Sequence, residues 1–218
     1  MKELLESARN TGLQVYWTRE GHREDLSTLP SREWARSKLA GAEIGSQGLF
    51  YLLLFVSSSA GMKRFVRAAN MSTGPLGRLL IRGQPGWEIV PELQPKSNEP
   101  IIDKPMRSAF AHTDFALLLQ IRGIKNLILA GVVTDVCVFS TMKDACDKGL
   151  DCLLVRDACA AASHDVHDAV VKSVEMEGGI AGATASIQEV NDVLNGWKSK
   201  AEEKMGIDMV EEIMRMAR

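Results

Sequence analysis

LILAGVVTDVCVFSTMKDA, Leu127 to Ala145, decides how this chain is read. Its first four residues, Leu127 to Ala130, form the short continuous apolar run expected of a strand buried on both faces. Gly131 interrupts that run, and Thr134 and Asp135 follow as turn residues. Val138, Thr141, Met142 and Ala145 then recur at helical spacing, with Gly149 placed to stop the helix. The pattern predicts strand, tight turn and helix, with Cys137 in the first helical turn. Backbone N–H groups and the positive end of the helix dipole favour a thiolate there. The same N–H groups are suited to a developing oxyanion. Cys137 is therefore a candidate nucleophile; the simpler alternative is a small thiol packed like alanine.

Further apolar patterns surround this stretch. Phe115, Leu118, Leu119 and Ile121 predict a helix between Thr113 as N-cap and Gly123 as stop. CLLVRDACAA predicts the next strand, with Cys152 inside it and Cys159 in the loop beyond. Ser163 to Glu177 reads as a helix ended by Gly178 and Gly179, and Ser186 and Glu189 are spaced as a capping box. The tail from about residue 195 to Arg218 is amphipathic and broken near Gly206. Upstream, Leu4, Leu5 and Ala8 open the chain on a helix before the strand-like LQVYWT. Ile101 and Ile102 form a short apolar strand that ends at Asp103 and Lys104.

The 218 residues suit one domain with a sizeable core. A formal charge of -2 with mixed signs gives no basic surface for nucleic acid or anionic membrane. A small polar ligand suits it better. The four cysteines, Cys137, Cys146, Cys152 and Cys159, lack zinc-site spacing, so neither metal nor cofactor is expected, and a reducing cytoplasm fits them. The apolar run LFYLLLFV, Leu49 to Val56, is far short of the about 20 residues a membrane helix requires. The loop of Arg19, Glu20 and His22 follows a strand, where open α/β sheets bind ligands.

GVVTDVCVFSTMKDA resembles the nucleophile segment of the isochorismatase-like cysteine hydrolases. The TREGHR loop, Thr18 to Arg23, is similar to the biuret and ureidoacrylate amidohydrolase-like branch. The resemblance covers most of Leu13 to Leu194 and implies a Rossmann-like three-layer α/β/α fold with a mainly parallel sheet. It implies a cis peptide between Val132 and Val133, with an oxyanion hole formed by the N–H groups of Val133 and Cys137. DKP followed by SAF resembles the family's lysine motif, which makes Lys104 the partner of Cys137. Arg107, Phe110 and Thr134 fall where relatives approach substrate. Glu177 stands where a glutamine is common, which bears on substrate choice. His112 is read as a structural residue near a helix cap.

Two departures from the family pattern are expected. The family's aspartate follows a first, central strand upstream of the helix on which this chain opens, and none of Asp25, Asp103 and Asp135 matches its position. The expectation is a sheet lacking that strand and an impaired enzyme. Residues 49 to 74 interrupt a continuous family pattern, which joining Gly48 to Pro75 restores. They read as an insertion, either a surface elaboration or translated noncoding sequence, the second being preferred. The implied activity is hydrolysis of a small amide or ureide C–N bond, in a homo-oligomer. The alternative is a non-catalytic binding protein.

Overall fold

The computed structural model describes residues 1–46, 76–201 and Arg215. The insertion expected at 49–74 and the break expected near Gly206 lie outside the described residues. The chain divides into two compact units, one of residues 1–18 with 90–218, the other of residues 19–89.

The first unit is built on a parallel sheet. Strand β3, Asn126–Val132, pairs in parallel with β4, Asp151–Ala160, which pairs in parallel with β5, Ala183–Ala185. β4 is central in this sheet, and its alternation makes the layers. Cys152 and Leu154 pack on one face with Phe115, Leu119, Met142, Ala145 and Val174. These residues come from α3, Phe115–Ile121, α4, Phe139–Cys146, and α5, His164–Glu175. Leu153 and Val155 pack on the other face with Leu4, Val190 and Leu194, from α1, Lys2–Asn10, and α6, Ile187–Ala201. Helices thus cover both faces of a parallel sheet, the three-layer α/β arrangement expected from the sequence.

A second sheet joins β1, Trp17–Glu20, to β2, Ile101–Lys104. Their approach is anchored by a buried carboxylate. Glu99 accepts from Arg9 at 2.7 and 2.8 Å, from Trp17 Nε1 at 2.8 Å and from Lys96 N–H at 3.0 Å. The Arg9 hydrogen bonds lead in lowering the Glu99 pKa to about 2. At the opposite end of α1, Glu3 accepts from Asn191 of α6 at 2.9 Å.

Two glycines are required by geometry. Gly131 adopts φ 137° where the β3–β4 register shifts, a backbone conformation that favours glycine. A Cβ on Gly182 would meet the Cys152 carbonyl and lie 2.9 Å from the Met142 methyl. The same register shift, between Leu129 and Gly131, lets β4 continue through Ala160. Cys159 therefore lies in the strand, opposite Gly131, rather than in the loop the sequence suggested. The capping box is formed, with Ser186 N–H donating to Glu189 at 2.6 Å and Glu189 N–H to Ser186 Oγ at 3.2 Å.

The second unit carries α2, Ser31–Leu39, and packs around Ile44 and Ile81, which are buried. His22 bridges to Ile81, and its Nδ1 lies 3.0 Å from the Thr28 carbonyl. Burial pushes the His22 pKa down. Arg19 stacks 3.5 Å over the Trp87 ring and pairs with Glu88 at 2.8 Å.

Candidate active site

At the carboxyl end of β3 the chain crosses a cis peptide between Val132 and Val133 and enters a π turn, Thr134–Val138, that runs directly into α4. The Val133 carbonyl accepts from Val136 N–H at 3.2 Å and from Val138 N–H at 3.3 Å. Cys137 is the fourth residue of this turn and is half-buried. The sequence predicts a regular first helical turn there; the wider turn has no pattern by which it could be read.

β2 delivers Lys104 to the same place. The side chain is buried, with the residue only 2% exposed. Its Nζ donates to the Met106 carbonyl at 2.8 Å and lies 3.4 Å from Cys137 Sγ. The carbonyl fixes the direction of the ammonium, so a positive charge is held against the sulfur by backbone on β2's own loop. An ammonium this buried is stabilised by an anionic partner, and a thiolate is one.

A second link holds the two segments together. Thr141 Oγ1 donates to the Cys137 carbonyl at 2.7 Å and accepts from Ala109 N–H at 3.0 Å. Thr141 is thus a clamp between the loop after β2 and the start of α4. The sequence reading missed this role, although a hydroxyl four residues after Cys137 is spaced to reach back to its carbonyl. It also missed His167 of α5, whose Nδ1 lies 2.9 Å from Thr134 Oγ1.

The other sequence candidates are spread more widely. Thr134 is fully buried at the head of the π turn. Arg107 is half-buried on the loop after β2. Phe110 packs its ring 4.9 Å from that of Phe115, so much of its surface is committed to the core. Glu177 is exposed at φ 55° just past α5. His112 is exposed at φ 59°. Glu20 and the buried His22 belong to the second unit. Among the described residues no helix is long and apolar enough to cross a membrane. Nor do any three His, Cys, Asp or Glu residues among them group as metal ligands.

The Isochorismatase domain profile matches residues 56–186, more than half of the chain, and the chain belongs to that family. Ureidoacrylate amidohydrolase RutB of Acinetobacter baylyi is 41% identical over 86 residues, 39% of this chain and 35% of the relative. RutB of Rhizobium rhizogenes is 27% identical over 176 residues, 80% of this chain and 62% of the relative. Both alignments leave more than a third of the relative's own length unmatched. Among solved structures, an isochorismatase family protein from Desulfovibrio vulgaris superposes with TM-score 0.64 at 25% identity, covering 89% of this chain and 82% of that one. The chain is accordingly a member of the isochorismatase family and is similar to ureidoacrylate amidohydrolases.

Proposed function

We propose that this chain hydrolyses the C–N bond of a small amide or ureide through Cys137. The observation that carries the reading is the 3.4 Å approach of the buried Lys104 ammonium to Cys137 Sγ. That charge favours the thiolate, which is the nucleophilic form. The sulfur attacks the carbonyl carbon and a C–S bond forms. The carbonyl oxygen becomes an oxyanion, which we assign to the N–H groups of Val133 and Cys137. The C–N bond then breaks and the amine leaves with a proton, which we assign to Lys104, 3.4 Å from Cys137 Sγ. Water then cleaves the remaining thioester: its oxygen bonds the acyl carbon, its displaced proton returns to Lys104, and the C–S bond breaks to give back the thiolate and a carboxylic or carbamic acid.

Similarity to the ureidoacrylate amidohydrolases supports the ureide class. Within it, Arg107 on the loop after β2 is the cation we assign to a substrate carboxylate. Ureidoacrylate and biuret, one with a carboxylate and one without, are the substrates to test. The reading expects release of amine or ammonia from at least one of them, and a loss of at least about a thousandfold in Cys137→Ser. A Cys137→Ser variant that keeps its rate overturns the reading. A folded wild type inert toward both also overturns it and leaves a binding protein.

A further inference from the structure

We propose that His167 is a positioning residue for the oxyanion hole, acting through Thr134. This inference rests on the reading of Cys137 as nucleophile. Thr134 is 0% exposed and lies immediately after Val133, whose N–H is one of the two donors assigned to the oxyanion. The segment Val133–Thr134 is held at two points, one on the backbone and one on a side chain. On one side the Val133 carbonyl accepts the Val136 and Val138 N–H groups at 3.2 and 3.3 Å. On the other, the Thr134 hydroxyl lies 2.9 Å from His167 Nδ1. With the hydroxyl hydrogen-bonded, rotation of Thr134 is opposed, and the direction of the preceding backbone is opposed with it.

The histidine is itself a fixed reference. It occupies the first turn of α5, where Ser163 Oγ caps Val166 N–H at 3.4 Å and the His167 N–H donates to the Ser163 carbonyl at 3.1 Å. α5 packs on the sheet through Val170 and Val174, both buried. A helix anchored to the core therefore sets the position of a hydroxyl beside the reacting centre. Loss of the imidazole leaves a buried hydroxyl without this partner, and water or a new rotamer must satisfy it.

The test separates this role from general stability by using one assay with two readouts. Iodoacetamide alkylation of Cys137 reports the thiolate. Protection by propionaldehyde reports the oxyanion hole, because the S–H adds across the C=O and the resulting hemithioacetal oxygen occupies the oxyanion position. In His167→Ala, half-protection should need about tenfold more propionaldehyde, while unprotected alkylation stays within about twofold of wild type. His167→Asn, which keeps a polar atom near the place of Nδ1, should recover most of the protection. Thr134→Val, nearly the same shape, should reproduce the loss, and the double variant should add nothing to it.

Unchanged half-protection in both His167→Ala and Thr134→Val overturns the proposal. So does faster alkylation of all four cysteines together, which marks general loosening. A wild type that alkylates rapidly at Cys137 but is not protected by propionaldehyde removes the oxyanion hole and this role with it. A wild type whose Cys137 is not selectively alkylated removes the nucleophile reading first.

Discussion

At pH 8, iodoacetamide should alkylate Cys137 at least about tenfold faster than Cys146, Cys152 or Cys159, and Lys104→Met should remove most of that advantage. Burial pushes the other three thiols up: Cys146 and Cys152 rise, and Cys159 rises to about 11. A thiol of that pKa is only about one part in a thousand thiolate at pH 8. Cys152 is also fully buried, so access slows it further. Cys137 is half-buried and faces the Lys104 ammonium at 3.4 Å. Opposite charges about 4 Å apart attract by about 4 kcal/mol at the dielectric near a protein surface. That attraction favours the thiolate at Cys137 over the thiol. Methionine keeps the apolar stem of Lys104 and deletes its charge, leaving the Met106 carbonyl without this donor at a cost of about 1 kcal/mol. Peptide mapping after timed alkylation gives all four rates at once. Equal rates, or a Lys104→Met protein that alkylates like wild type, contradict the ion-pair account.

Acid should weaken the fold through Glu99, and Glu99→Gln should weaken it at neutral pH. The folded-state pKa of this carboxyl is depressed to about 2, with the Arg9 hydrogen bonds the largest cause. A depressed carboxyl binds protons more readily in the unfolded chain, so its contribution is present above the unfolded value and is lost as pH falls toward the folded value. Taking the ordinary value of 4.5, the window runs from about pH 4.5 down to about 2. The drop corresponds to about 3 kcal/mol. Glu99 is 7% exposed, so solvent screens the pair little. Urea midpoints across this range should place wild type above Glu99→Gln at pH 7, with the gap closing in acid. A gap of constant size from pH 7 to 3 would mean that the carboxylate's charge does not carry the effect.

Much of the fold was legible because it obeys local rules. Ile101–Lys104 was read as a strand ending at the lysine, and the Ser186–Glu189 pair was read as a cap; both depend only on neighbours in sequence. Other features depend on register or distance. Cys159 reads from sequence as a loop residue, but the shifted pairing at Gly131 carries the strand through it. Thr113 was expected to cap α3; Asp114 stands at that position, and Thr113 Oγ1 accepts from Phe115 N–H at 3.3 Å. The Arg9–Glu99 pair links positions 90 residues apart, which no periodicity reports. Of the candidate pair, Cys137 is suggested by strand, turn and helix alone. Lys104 is not, because a lysine at a strand end is ordinarily exposed, and only the family resemblance points to it. His167 is one of several polar residues on the first turns of α5, and its bond to Thr134 exists only in three dimensions.

The central claim is a covalent bond between Cys137 and the acyl half of a ureide. The most direct measurement is the mass of the Cys137 peptide from protein quenched in acid during incubation with ureidoacrylate. The expected result is an adduct equal in mass to the substrate less its leaving amine, confined to Cys137 and absent from Cys137→Ser. Turnover with an unmodified Cys137 peptide under rapid quench, or an adduct on another cysteine, would contradict it.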